Sequence, residues 1–573
     1  MNRWTARRAA RAQTPTRFVS QPEPRTIGSF ARGKQLVAGN LLFAGHLVEE
    51  ANVSPWDVPA PAEGFAEALN GFAWMDDLAA LGDGAARDKA QDWTWGWIAR
   101  YGAGQGVGWS PDLTGRRLIR WINHAFFLLS GQESEDSQAF FRSLGHQTIF
   151  LSKRWRVASP GLPRFEALSG LIYAGMSLVG MEAHVLAALK GLERECATQI
   201  DDQGGLPTRN PEDLLEVFTL LNWAALALRE AGREVLPEHA AAIERIAPTL
   251  RALRHADGGL ARFHGGGRGL EGRLDQALAT SGVRAGAPDG RAMGYSRLSG
   301  GRTSLVIDAS LPPSGAASTN AHASTLAFEL TSGRRPLVVN CGSGVQFGFD
   351  WGKAGRATPS HSVLSLRGVS SSRLGNMVHT SAGPRAVLTD GPTEVDYRRP
   401  DVDNASVFVG GHDGYVRGFG LAYMRRLEMT IDGRSLMGEE TLAAVSEAEK
   451  ITFDHARARD GAKGLPFDIR FHLHPDVDAT LDLGGHAISM ALKSGEIWVF
   501  RHDSSAKLSL EASVYLEKGR LKPRASRQIV LTGEVDDYAR KLRWSLAKAK
   551  DTPIGVRDLV NDDETLGLSE PDA

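Results

Sequence analysis

Two cysteines, Cys196 and Cys341, are all that 573 residues contain. So few thiols exclude a disulfide framework and the paired spacing of a zinc knuckle, and they leave the compartment open. Long apolar runs are missing too. The stretch QLVAGNLLFAGHLVEE is too short and too interrupted to span a bilayer. The arginine-rich start, MNRWTARRAARAQTPTRF, lacks the apolar core of a signal peptide, so residues 1–35 read as a disordered basic tail. The end, NDDETLGLSEPDA, reads as part of an acidic tail over 549–573. Net charge is -1, which gives no overall basic field toward nucleic acid or an anionic membrane. No P-loop, G-x-S-x-G elbow or H-E-x-x-H pair occurs. GAGQGVG, at 102–108, follows an aromatic helical segment rather than a strand, so it is a loop and not a dinucleotide fingerprint. HGGG, at 264–267, has no serine elbow to serve and reads as a glycine turn.

What is present is an ordinary globular composition, 42% apolar and 23% charged, in a chain long enough for two or three domains. From about residue 60 to 285 the apolar period is helical. In NPEDLLEVFTLLNWAALALREAG, Asn210 suits the N-cap, Pro211 the first helical position, and Glu212 and Asp213 the positive end of the dipole. Leu214, Val217, Phe218, Leu221 and Ala224 then recur on one face. Trp93, Trp95, Trp97, Trp109 and Trp121 fall in this helical part; they suit a helix-packing core or a groove that stacks on sugar rings. After about 290 the period becomes two. In FDIRFHLHP, Phe467, Ile469, Phe471 and Leu473 point one way and Asp468, Arg470, His472 and His474 the other, as in a half-buried antiparallel sheet. The chain is therefore an α+β multidomain protein, a helical domain over 36–288 and an antiparallel β-sandwich over 289–548, with the boundary near GAPDGRAMGYSRL.

The segments AHASTLAFELTSGRRPLVVNCG, RATPSHSVLSL, GHDGYVRGFGLAYMRRLEMTIDG and RFHLHPDV resemble the heparinase II/III family of polysaccharide lyases. The likeness extends back through FEALSGLIYAGMSL and RNPEDLLEV to SPWDVPAP, in the right order, over about residues 35–545. Its fit is to the heparinase II/III-like branch found in alphaproteobacteria. The resemblance implies an N-terminal incomplete (α/α) toroid followed by a C-terminal antiparallel β-sandwich, and β-elimination on an acidic, uronate-containing glycan. That chemistry needs a base for the C5 proton, a neutraliser for the C6 carboxylate and an acid for the departing O4. The family supplies a tyrosine with Asn and His, and a sandwich metal held by two His and one Asp.

Carried over residue by residue, the family's His-x-His-x-Asp reads Asn320-Ala-His322-Ala-Ser324 here. His322 matches a metal-ligand histidine, and Asn320 stands where a catalytic histidine often stands. The metal aspartate falls on Asn340 and the second histidine on His361. An amide is a weaker, uncharged ligand than a carboxylate, so these three could hold one zinc at reduced affinity. The Gly-Asn-His that precedes the helix FEALSGLIYAG falls on Gly161, Leu162 and Pro163, and the Tyr-His pair on Asp213 and Leu214. The usual base and neutraliser are thus missing at their places. The polar set that remains, Arg209, Asn210, Asn320 and His322, is the candidate catalytic set. Arg209, whose fork suits a carboxylate, is also a substrate-binding candidate with His412 and Tyr415. Arg209 and Asn320 are expected to face one another across the interdomain cleft. The implied reading is a lyase-like protein with a rearranged site. The alternative is a non-catalytic glycan-binding or cell-envelope protein that keeps the fold. The expected partner is an acidic polysaccharide or oligosaccharide. The resemblance implies the envelope or periplasm, and the unreadable signal leaves the cytoplasm as the alternative.

Overall fold

The computed structural model of the chain describes residues 1–550 except 13, 21, 22, 51, 52, 381, 382 and 460–462. Nearly all of the acidic tail lies outside the described residues. The basic N-terminus departs from the expected disorder. It carries α1 (Asn2–Ala9) and, further on, α2 (Phe30–Val37). Ala6 and Ala9 are buried, where α1 packs on the helix Ser134–Arg154, while Arg3, Arg7 and Arg8 stay exposed. A docking face made of alanines carries little apolar signal, so the arginines dominated the sequence pattern.

The helical part comprises α3 to α10 (Glu63–Gly71, Trp74–Leu81, Gly84–Tyr101, Pro111–Asn123, Ala125–Leu129, Ser134–Arg154, Leu162–Ser177 and Leu186–Gln199). These are followed by α11 (Pro211–Glu230), α12 (Pro237–Leu253) and α13 (Arg273–Ser281). α9 packs on both α6 and α11, and all three are buried on nearly every face. α9 and α11 are mostly apolar and have to be enclosed by others, while the arginines of α6 are buried through partners such as Gln147 and Asp76. The three belong to the core of an incomplete toroid. Of the five clustered tryptophans, Trp93, Trp97, Trp109 and Trp121 are buried in this core. Trp95 packs partly buried against it and stacks on Phe140.

Helix gives way to strand between Ser281 and Arg291. Among the described residues two nine-stranded antiparallel sheets then form the sandwich. One runs from Lys507–Tyr515 through Arg524–Val535, Leu465–Leu473, Arg335–Val339, Phe328–Ser332 and Thr303–Asp308 to Tyr295–Gly300 and Arg291–Ala292. The other is built around Ala422–Thr430, Ser435–Ala443 and Ala539–Lys548. Between them Trp544 lies edge-on to Phe471 at 4.7 Å and stacks on Phe500 at 6.0 Å. His472 and His474, on the side of their strand away from this core, are buried as well. The alternation was legible, but not that this second face would be covered.

Trp544 pairs across the sheet with Gly438, and a Cβ on Gly438 would sit 2.1 Å from the indole. The same indole donates to Glu440, which neutralises the buried Arg425. Gly438→Ala must therefore displace Trp544 from both the ring cluster and Glu440. A loss of about 1–3 kcal/mol is expected, read by urea denaturation followed through tryptophan fluorescence. An unchanged midpoint would show that the sheet yields there without cost.

Candidate functional site

Arg209 and Asn210 sit at the entrance to α11. Asn210 caps the helix, its Oδ1 accepting from the Glu212 and Asp213 amides at 3.0 and 3.3 Å. Arg209 is held in the left-handed region, φ +51°, with its carbonyl accepting from the Tyr295 hydroxyl at 2.5 Å. That backbone turn sends the side chain into the sandwich. Nε donates to Met293 O, Nη1 to Leu311 O, and Nη2 to Gly294 O and to Asp308 Oδ1 at 2.6 Å. The guanidinium also covers the Tyr295 ring at 4.7 Å. The expectation that Arg209 forks onto a ligand carboxylate is therefore corrected, because its donors are already committed within the protein. Asn320, expected opposite it, is exposed and lies against Gly265.

Asp308 closes the ion pair with no solvent exposure. Its other oxygen accepts from Ser324 Oγ at 2.7 Å and lies 3.4 Å from His264 Nε2. Burial alone would raise this carboxyl, but Arg209, His264 and Ser324 hold it well below the ordinary range. His264, the first residue of the HGGG turn, accepts the His322 amide on Nδ1 at 3.1 Å. The next amide, Gly265 N, donates to His322 Nε2 at 3.1 Å. The proton of His322 is thereby assigned to Nδ1, which donates to His361 Nε2 at 3.0 Å. His361 Nδ1 in turn donates to Ala357 O at 2.8 Å. The pattern is complete with both imidazoles neutral. Burial depresses both, His361 to about 4 and His322 well below its ordinary value. The sequence reading passed over His264 and Asp308. The first was hidden in a glycine turn, and the second was one polar residue at the end of the strand TSLVIDAS.

His322 and His361 are adjacent, as the motif implied, and Asn340 is near. Its Oδ1 accepts from Ser362 N at 3.0 Å, and Ser362 directly follows His361. These donors do not fit the zinc that the resemblance suggests. All four ring nitrogens are engaged within the protein, and the amide supplies no charge. Of the nearby carboxylates, Asp308 is held by Arg209 and Ser324, and Glu329 by the Arg262 and Asn340 amides. Among the described residues no group of three or more His, Cys, Asp or Glu is arranged to hold a metal. His412 and Tyr415 are not presented to a ligand either. Both are buried in the sandwich, where His412 accepts from Gly414 N and Tyr415 donates to Leu364 O.

The open site lies beside this seam. A cavity of about 1470 Å³ is walled by the N-terminal arm, α4, α6 and α11 on one side and by sandwich loops on the other. Arg209, Asn320, His322 and His361 do not line it; Arg116, Glu212, Glu216, Arg262, Arg268, His474, Tyr515 and Lys518 do. Lys518 reaches across from the sandwich to Glu212, which also accepts Gly267 N at 2.8 Å. Burial would raise Glu212, but Lys518 and Gly267 bring it below its usual value. Its neighbour Asp213, at the family's tyrosine position, is pushed up to about 7 by burial and by Glu212, Glu216 and Glu166, with Lys518 opposing.

A helical toroid, an antiparallel sandwich and a charged cleft between them define a polysaccharide-lyase-like architecture. The structure of heparinase III superposes with a TM-score of 0.68 at 12% identity, over 95% of this chain and 88% of that one. Heparan sulfate lyase HepC from Pedobacter heparinus gives 0.56 at 14% identity, over 96% and 88%. Residues 282–545 match the heparinase II/III-like C-terminal family. FtsZ-localized protein C of Caulobacter vibrioides is 30% identical over 538 residues, 92% of this chain and 89% of that protein. The chain belongs to the heparinase II/III-like family. Among the described residues no helix is long and apolar enough to cross a membrane.

Proposed function

We propose that the chain is a lyase-fold binding protein, which holds an anionic chain in its cleft without cleaving it and works in the company of FtsZ. The observation that carries this reading is the closed seam. β-Elimination needs a base at the sugar C5 and a free cation or donor at the C6 carboxylate. At the corresponding places the two histidines hydrogen-bond to each other, and Arg209 is spent on Asp308 and four carbonyls. Asp213 and Leu214 stand in place of the tyrosine and histidine. The cleft, by contrast, keeps the charged lining that would suit an acidic oligosaccharide.

The likeness to FtsZ-localized protein C over nearly the full length supports a place beside FtsZ and favours the cytoplasmic alternative over the periplasm. Incubation with a panel of uronate polysaccharides is expected to give no rise in the absorbance of unsaturated product. The same protein is expected to bind acidic oligosaccharides in equilibrium titrations and to sediment with polymerised FtsZ from its own source. Product formation would overturn the non-catalytic reading. Asp213, with its carboxyl near the pH of the assay, would then be the base to replace, as Asp213→Asn.

A further inference from the structure

On the sandwich wall of the cleft, two donors have no hydrogen-bond partner among the described residues. Tyr515 ends the strand Lys507–Tyr515, lines the cavity and is 2% exposed. Its ring is clamped. The Arg262 guanidinium lies 4.0 Å from the ring centroid, and the His474 ring meets it edge-on at 4.9 Å. The clamp is rigid because Arg262 donates to the carbonyls of Asn340, Cys341 and Leu516. Among the described residues the Tyr515 hydroxyl makes no hydrogen bond. The ring is buried, but the hydroxyl is not sealed among the unpartnered buried atoms; it opens on the cavity, where water or a ligand completes it. His474 is 7% exposed and also lines the cavity. Its Nδ1 accepts from Asp476 N, which leaves the proton on Nε2, and that nitrogen too has no acceptor among the described residues. Burial keeps the phenol and the imidazole neutral, so both present N–H or O–H groups rather than charges.

The surrounding charge is positive. Asp476 is shared by Arg524 at 2.9 Å and Lys493 at 3.2 Å. Glu517 is shared by Arg520 at 3.2 Å and Arg524 at 3.5 Å. Three cations thus face two carboxylates, and the exposed Arg334 lines the same cavity. A wall of unpaired donors in an excess of positive charge excludes a cation and suits an oxyanion.

We propose that Tyr515 and His474 form a subsite for one oxyanion group, a sulfate, phosphate or carboxylate, fixed in advance by the Arg262 clamp. This deepens the reading of the cleft as a binding site and rests on it. Full-length wild type and Tyr515→Phe are titrated calorimetrically with inorganic sulfate, inorganic phosphate and glucuronate. The substitution keeps the ring and its contact with Arg262 and removes only the hydroxyl. Wild type is expected to bind at least one of the three, and Tyr515→Phe to bind it about tenfold more weakly with its melting temperature unchanged. The preferred anion tells a sulfated or phosphorylated ligand from a uronate. Equal affinities, or no binding of any of the three by wild type, would overturn the subsite. His474→Phe, titrated separately, decides the matter should Tyr515→Phe fold poorly, with the same loss expected. An acidic oligosaccharide bound equally by wild type and Tyr515→Phe would sink the subsite and leave the cleft reading standing. Weaker inorganic-anion binding in the variant, with no oligosaccharide bound by either protein, would do the reverse.

Discussion

Asp308→Ala is expected to destabilise the protein by about 3–5 kcal/mol, the usual cost of leaving one partner of a buried ion pair alone. The seam explains why the cost should be near the top of that range. Arg209 cannot lose its proton, is only 8% exposed, and has Asp308 as its carboxylate partner. Removing Asp308 also strips Ser324 of its acceptor and takes the nearest carboxylate from His264. The double replacement Arg209→Met with Asp308→Leu removes both charges, and it is expected to recover much of the loss, since apolar side chains of similar size often substitute for a buried pair. Arg209→Lys separates two roles for the arginine. A residue that reads a ligand would lose affinity at constant stability. Here the lysine keeps the charge but loses the fork that spans Met293, Gly294 and Leu311, so stability should fall and ligand affinity should not. Guanidinium denaturation followed by far-ultraviolet circular dichroism measures both effects. A shift below about 1 kcal/mol for Asp308→Ala would mean that the pair is solvated and the seam is not closed.

The parts of this fold that were legible in the sequence are the local ones. Asn210, Pro211 and the acidic first turn of α11 carry their own signal within four residues, and the structure forms the cap they specify. The change of period near residue 290 is likewise local, being a property of each strand by itself. The seam is different. Arg209 and Asp308 are 99 residues apart, and His322 and His361 are 39 apart. Nothing in RNPEDLLEV tells that its arginine will find an aspartate at the end of TSLVIDAS. The likeness to heparinase II/III lyases brought His322, His361 and Asn340 together. It could not show that the histidines would bond to each other, because that depends on the Gly265 amide delivered by HGGG. Tyr515 and His474 were missed for a related reason. The period-two pattern assigns His474 to an outward face, and only the packing of the two domains makes that face the wall of a cleft.

Stability is expected to fall steeply as the pH drops from about 6.5 toward 5, well before Asp308 titrates. Asp213, raised to about 7, takes up its proton in the fold first and offsets about one histidine of that loss. His239, His361 and His412 are each held near 4 by burial, and His472 near 3, against about 6.5 in an unfolded chain. Each is neutral and hydrogen-bonded in the fold: His239 to Leu221 O, His361 to Ala357 O, His412 to Gly414 N and His472 to Pro359 O. As the pH passes below 6.5 the unfolded chain takes up protons that the folded chain refuses, so the equilibrium moves toward unfolding. The contribution of each histidine is whole above about 6.5 and is lost progressively down to its folded value. One such group costs about 1.4 kcal/mol per pH unit in that window, and four together about 5 kcal/mol per unit. A domain of ordinary stability, about 5–15 kcal/mol, would not survive far below pH 5. Asp308 adds its own loss only later. Its carboxyl is depressed, so that contribution is present above the unfolded value of about 3.9 and disappears below it. The two classes therefore separate on the pH axis. Denaturation midpoints at pH 7.5, 6.5, 5.5 and 4.5 trace the histidine loss, and His412→Phe, which removes one proton acceptor from the buried set, should flatten the slope by about 1.4 kcal/mol per pH unit in that window. A midpoint that stays level from pH 7 to 5 would mean that these imidazoles reach water readily, and the argument for a saturated, closed seam would fail with it.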